Sequence, residues 1–350
     1  MTPLRDNISR VVGNVRWSVT SGHALNAPGG RVPPFLARLI PRIGNQNHLF
    51  FQALENLAEI FPSLGNPLMK TTLIAVLGLG LMAGAAASSA PAEAPLGWRV
   101  GPTAWSFRLF TFHEAIEKTA ALDMHYLEAF EGQRVSKEGD AKLNADVSDV
   151  TIAGIRAKLD AAKVKLTSIY IHNIPGDEAA CRKTFEFARK LGVEFIVSEP
   201  APDALPLIEK FCEEYRINLA LHNHPEGKSR YWHPREVLKA CEGRGPRIGA
   251  CGDTGHWLRS DLKPADMVTL LGSRLLALHV KDLDTEMHDV PWGTGKGDMV
   301  DLFQTLHRLK LKPALFGIEY ETKWEDNRAE IAQCGKFFGQ QLKLLSAPVP

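Results

Sequence analysis

Neither sign of charge prevails in this 350-residue chain: Lys and Arg together number 41, Asp and Glu 40. That balance excludes the basic footprint of a nucleic-acid surface and the polybasic stretch of a lipid anchor. Cysteine is sparse, with five residues (Cys181, Cys212, Cys241, Cys251 and Cys334) scattered along the chain and no CxxC pair. The odd count leaves at least one thiol free in a monomer, which excludes a disulfide framework. Most of the five read as small buried hydrophobes. No low-complexity linker interrupts the chain beyond residue 95, and no glycine-rich phosphate turn follows its first apolar run, "GPTAWSF". A nucleotide-binding doubly wound sheet would show such a turn. What is present is 45% hydrophobic residues and a full set of aromatics, which suits a soluble globular protein with a real core.

One apolar run stands apart. From Met69 the chain reads "MKTTLIAVLGLGLMAGAAASSAPAEAP", a charged start, a hydrophobic middle and a small-residue exit. This is the layout of a secretory signal peptide, too short to span a bilayer comfortably, with Ala85-Ala86-Ala87 as one candidate cleavage site. No cysteine follows that would take a lipid, so no stable membrane anchor is expected, and the mature protein is expected to be secreted or periplasmic. Residues 1–68 are read as an unstructured extension upstream of a true start at Met69. The alternative is a genuine N-terminal anchor with 69–87 as a short transmembrane helix. Residues 69–94 are signal peptide and short linker, and 95–350 form a single domain.

Within 95–350, short β-prone runs recur: 98–107, 124–130, 165–173, 194–200, 217–224, 247–253, 275–282 and 314–321. Each is followed by a segment with apolar residues at three- and four-residue spacing, the mark of an amphipathic helix. Eight strands alternating with eight helices predict a parallel sheet buried on both faces. That repeat closes most economically as an α/β fold of the (β/α)8 barrel type, about the size expected for this domain.

In such a barrel, chemistry gathers where the strands end. Read in order, those ends carry Glu128 and Glu131, His172, Glu199, His222 and His224, Asp253 and His256, His279 with Lys281 and Asp282, and Glu319 with Glu321. Any one of them is explained by an ordinary hydrogen-bonded rim residue. Taken whole, imidazoles and carboxylates end nearly every strand from the third to the eighth, and closure would gather them around one axis. Clustered buried carboxylates are costly without a compensating cation, and a divalent metal with mixed nitrogen and oxygen ligands supplies one.

In order and spacing, "GDTGHW", "LHVKD" followed by "VPWGTGKGDM", and "GIEYE" resemble the sugar phosphate isomerase/epimerase superfamily of xylose-isomerase-like TIM barrels. "LHNHPEG" is similar to a His-Asn-His variant of its fifth strand. The resemblance covers 98–345 and implies one divalent metal ion (Mn, Co, Zn or Mg) held by His222, Asp253, His279 and Glu319. Epimerases of the tagatose and psicose type have glutamate where this chain has His222, which leaves His222, His224 or Glu199 as the first ligand. A small-molecule carbohydrate is the implied partner, and no nucleic acid.

The implied chemistry is isomerisation or epimerisation through a metal-stabilised enediolate. Glu199 and Glu319 are the candidate bases, and Lys281 is placed to meet a developing oxyanion or, alternatively, to pair with Asp282 or Glu321. His172 and His224 are expected to bind sugar hydroxyls, and His256 to orient substrate or complete the ligand sphere. Trp257, with Trp105 and Trp292, is a candidate for stacking on a sugar face. Three other readings remain. One is a metal-dependent lyase or dehydratase acting on 3-keto-glycosides or keto-inositols, and another is a non-catalytic sugar-binding barrel. The third, an endonuclease IV-like repair enzyme, is disfavoured because the loop after the seventh strand reads "DVPWGTG" and lacks an Asp-x-His. Gly293, Gly295 and Gly297 in that loop do not follow a P-loop pattern and read as conformational residues, with Asp298 capping the next helix.

Overall fold

A computed structural model of the chain describes residues 96–347. The expected extension 1–68 and the expected signal peptide and linker 69–94 lie outside the described residues. Eight strands form one parallel sheet: β1 Val100–Pro102, β2 Tyr126–Phe130, β3 Lys165–Tyr170, β4 Phe195–Ser198, β5 Asn218–His222, β6 Ile248–Asp253, β7 Leu275–Val280 and β8 Phe316–Ile318. Their spatial order is β1-β8-β7-β6-β5-β4-β3-β2. The remaining seam is closed where Thr103, just past β1, bridges Glu128 on β2. Glycine is required at that seam, because a Cβ on Gly101 would fall 1.9 Å from the Tyr126 carbonyl oxygen. The expected (β/α)8 barrel is therefore the fold.

Helices α1 Phe112–Ala121, α2 Asp149–Ala162, α3 Glu178–Leu191, α4 Leu205–Tyr215, α5 Pro234–Ala240, α6 Thr254–Leu258, α7 Pro264–Leu271, α8 Met299–Arg308 and α9 Arg328–Ser346 complete the helical complement. Their limits follow from capping. Thr111 and Glu114 form a reciprocal capping box at α1, Ser148 and Asp177 cap α2 and α3, and Gly192 closes α3 in a left-handed conformation. Asp298 accepts from the Asp301 N–H at the start of α8, as expected. Two further elements follow the strands closely. The chain turns from β6 directly into α6, and residues 282–290 form a small antiparallel ribbon, Asp282–Leu283 against Asp289–Val290. Both sit at the mouth.

The large core lies between sheet and helices. A smaller cluster of Phe195, Val197, Ala220, Cys251, Ala277 and Leu315 fills the barrel interior. This inner plug forms a floor beneath the polar site.

Candidate functional site

Strand periodicity builds the site. Side chains two residues apart share a face, so the residues two positions beyond Ala220, Cys251 and Ala277 also point down the axis. Those residues are His222, Asp253 and His279, all buried. The sheet register places Asp253 directly beside His279, and His222 beside Cys251. Lys281 stands just past β7, and Glu319 just past β8.

The inner group is compact. His222, Asp253 and His279 each offer a donor atom within 4.8 Å of the others. Nε2 of His222 is 3.2 Å from Nδ1 of His279 and 3.6 Å from Oδ2 of Asp253. Glu319 borders the set, its Oε2 being 3.1 Å from the same His279 Nδ1. Two facing imidazole nitrogens and two carboxylate oxygens repel unless a proton or a cation lies among them. Without an ion, protons fill that role. Burial opposes charge on His222, but its bonds to Asp253 and Glu199 outweigh burial and raise it. Burial likewise opposes charge on His279, but the Cys251 sulfur and the Glu128 and Glu319 carboxylates raise it well above the usual range. A buried set of two nitrogens and two carboxylates has the chemistry of a divalent ion site, and the residues present fit one.

Glu199 lies outside this group. Its Oε1 accepts from His222 Nδ1 at 3.3 Å and His224 Nδ1 at 2.5 Å, and its Oε2 accepts from Ser229 at 2.6 Å. Burial would raise its carboxyl, but these imidazole bonds hold it well below the usual range. With Nδ1 set against Glu199, the His222 Nε2 is turned towards Asp253. Of the three alternatives on and near the fifth strand, it is therefore His222 that faces the inner group. Glu199 and Glu319 stand after β4 and β8, four strands apart in the ring and thus across the axis from each other.

Lys281 is wholly buried and bonds three carboxylates at once: Asp253 at 2.9 Å, Glu319 at 2.6 Å and Glu321 at 3.1 Å. Burial opposes its charge, yet Asp253, Glu319 and Glu321 raise it well above the ordinary lysine range. All three ammonium protons are engaged. The expectation that Lys281 meets an oxyanion is thus corrected, and it is a clamp on the acids. Its salt bridge runs to Glu321, while Asp282 turns away from it. Burial alone would raise the Asp253 carboxyl, but the Lys281 ammonium and the His222 ring hold it well below its usual range.

His256 sits on α6, where its N–H caps onto Asp253 Oδ1 at 2.9 Å and its Nε2 is 3.7 Å from Oδ2. Burial pushes this imidazole down to about 2, so it stays neutral. His172 is exposed at the mouth, with Nδ1 3.1 Å from the Tyr170 hydroxyl. Trp257 is a second correction. It is only 1% exposed and lies against Gly252, so no face is open for stacking on a sugar. Trp292 is also core, its indole N–H donating to the Val280 carbonyl. Trp105 alone of the three is partly exposed, and it donates to Glu321.

Several site residues escaped the sequence reading. Tyr170 and Ser229 attend Glu199, and Asn223 ties β5 to β6 through paired bonds with the Asp253 backbone. Arg259 and Asp289 flank the rim. Of these, Asn223 had a signal, since it is the centre of the His-Asn-His motif. The glycine-dense loop also resolves. The N–H groups of Leu283, Gly293, Gly295 and Gly297 all donate to the buried Asp282 carboxylate, so this anion cradle is filled from within the chain.

Asp289 provides a test of the electrostatics. Burial pushes its carboxyl up from 3.8 to about 6 despite the Lys281 charge. A carboxyl with a raised folded value binds protons more readily when folded, so its ionisation weakens the fold as pH rises through about 4 to 6. Asp289→Asn keeps an oxygen for the Glu321 N–H, which lies 2.6 Å from Oδ2. Urea unfolding at pH 8 is expected to find the variant more stable by up to about 3 kcal/mol, the gain fading towards pH 4. Equal stability at pH 8 would refute this account.

The barrel, with imidazoles and carboxylates converging at its C-terminal mouth, defines the class. More specifically, the chain belongs to the xylose isomerase-like TIM barrel family, whose profile matches residues 116–337. Among solved structures, an uncharacterized protein from Parabacteroides distasonis ATCC 8503 is 31% identical, with a TM-score of 0.59 over 69% of this chain and 98% of its own. A D-tagatose 3-epimerase-like protein (17% identity, TM-score 0.57, 71% and 98% coverage) has the same fold. So does a D-psicose 3-epimerase (16%, 0.55, 71% and 100%) whose crystal was obtained in the presence of D-fructose. No curated protein sequence matches the chain.

Proposed function

We propose that this protein is a divalent-metal-dependent sugar isomerase or epimerase. The observation that carries the reading is the facing pair of buried imidazoles, 3.2 Å apart and flanked by Asp253 and Glu319. Support also comes from the fold shared with the D-tagatose 3-epimerase-like protein and the D-psicose 3-epimerase. His222 Nε2, His279 Nδ1, Asp253 and Glu319 would hold the ion. When bound, the ion supplies Lewis-acid polarisation that acidifies the C–H beside a sugar carbonyl.

The chain's own part is proton handling. Epimerisation requires one group to remove a proton and another to return one from the opposite face. Glu319 stands on one side of the axis, fixed by Lys281 on Oε1 and by the Thr103 hydroxyl, 3.2 Å from Oε2. Glu199 stands on the other, joined to His224, whose side chain is about a third exposed to the mouth. Glu199 keeps the His224 Nδ1 proton in place, so the His224 Nε2 is the atom on that side free to carry a proton. His172, open at the rim, is placed to meet sugar hydroxyls, and so is His256.

The test is incubation of the Mn(II)-loaded protein in deuterated water with a panel of free aldoses, ketoses and 3-keto-glycosides. Deuterium is expected at an α-carbon of intact sugar, and Glu319→Gln is expected to slow exchange by about 10²- to 10⁴-fold. Released aglycone without exchange into intact sugar would instead make the protein a lyase. Bound metal with no turnover of any of them would leave a sugar-binding barrel.

A further inference from the structure

The ion site explains His222 through Glu199, whereas on its own side of the barrel His279 meets the Cys251 thiol, a weak partner, and no carboxylate at its outer nitrogen. The group nearest its outer nitrogen comes from across the interior. Glu128, on β2, places Oε1 2.7 Å from His279 Nε2. In the ring β2 is separated from β7 by β1 and β8, so no backbone pairing brings the two residues together.

Glu128 is 1% exposed, and a carboxylate so buried is costly unless compensated. Its Oε2 accepts from the Ser168 hydroxyl at 2.6 Å, a neutral partner. Among the described residues, His279 is the one chargeable base within 4.0 Å of it. Burial by itself therefore gives no reason for an acid here, since glutamine would also satisfy Ser168. The local backbone is adapted to the position as well. The β2–β3 register shifts between Leu127 and Glu128, and Glu128 is the residue that Thr103 bridges to close the barrel.

The His279 Nε2 has no aligned hydrogen bond as placed, because Glu128 lies beside the N–H direction rather than along it. His279 Nδ1 meanwhile faces His222 Nε2 and Glu319 Oε2. The arrangement matches that of His222, with one nitrogen against a carboxylate and the other turned to the centre. Outer carboxylates of this kind fix the tautomer and raise the basicity of a ligating imidazole.

We propose that Glu128 is the positioning residue for His279: it takes the Nε2–H and so presents the Nδ1 lone pair to the ion, acting from a strand that does not pair with β7. This rests on the ion-site reading above. The experiment measures Mn(II) affinity of the full chain by competition with a chelator, together with the visible spectrum of the Co(II) form. Glu128→Leu is expected to weaken Mn(II) binding by about 10- to 100-fold and to shift the Co(II) bands. Glu128→Gln, whose amide oxygen can still accept the N–H, is expected to restore affinity to within a few-fold and to restore the spectrum. Unchanged affinity and spectrum in folded Glu128→Leu would overturn the proposal, and so would equal losses in the Leu and Gln variants.

Should Glu128→Leu fail to fold, long-range proton–nitrogen spectra of wild-type protein labelled at histidine and loaded with Zn(II) decide the matter. Protonated Nε2 and ion-bound Nδ1 on His279 are expected, and the reverse tautomer overturns the proposal. A wild-type chain that binds no divalent ion would instead sink the functional reading itself, which separates the two failures.

Discussion

Lys281→Met is expected to destabilise the ion-free protein by roughly 3–5 kcal/mol, the scale for breaking a buried charge network. Against a total stability of about 5–15 kcal/mol, this is a large fraction. Lys281 is the buried cation among Asp253, Glu319 and Glu321, and methionine fills its volume without its charge. The three acids would then face one another in a water-poor interior, and the same acids would gain more than before from a divalent ion. Urea unfolding in EDTA and again with excess Mn(II) separates these effects. The variant should be weak in EDTA and recover much of the loss with metal, while wild type changes less. A variant as stable as wild type in EDTA would show that the ammonium is not what holds the acids together.

Asp253→Asn should fail differently. The amide oxygen can still cap the His256 N–H, and Lys281 keeps two of its three carboxylates, so the stability loss is expected to be smaller, about 1–3 kcal/mol. Ion binding is where the damage falls. With the charged oxygen 3.6 Å from His222 Nε2 gone, the set loses one of its anions. Bound metal, measured by elemental analysis after dialysis, is expected to drop below detection. Turnover is expected to fall on the order of 10³-fold or more, since Lewis-acid stabilisation amounts to several kcal/mol. An Asp253→Asn protein that retains both ion and rate would remove Asp253 from the site.

The barrel was legible because every strand announced itself twice, by an apolar run and by the amphipathic helix behind it. The inner group was legible for a related reason. In "LALH", "ACGD" and "LALH" again, a small residue is followed two positions later by an imidazole or an acid, so one face of each strand carries both the floor and the site. What the chain order hides is pairing across the ring. Glu128 reads as one more acid at a strand end until the closed barrel sets it against His279, about 150 residues away. The engagement of Lys281 by three acids, and the burial of Trp257 beneath α6, likewise depend on which neighbours arrive from other elements. Residues whose direction follows from strand period are readable from sequence. Those decided by a cross-barrel partner are not. The short helix α6 is an intermediate case: the spacing in "DTGH" is that of an N-cap aspartate and the amide it accepts, which the structure contains as Asp253 and His256.

The Asp282 carboxylate, wrapped by amides of the loop it precedes, makes that loop a stiff wall. Glycine-dense stretches ordinarily sway, but this one is fastened near its middle by a group that cannot leave without four amides losing their acceptor. Fastening so close needs glycine at the contact, because a Cβ on Gly295 would fall 2.4 Å from Asp282 Oδ1. The doorway to the barrel is therefore framed on this side by a rigid jamb, and its amides offer no vacant receptacle for an incoming phosphate.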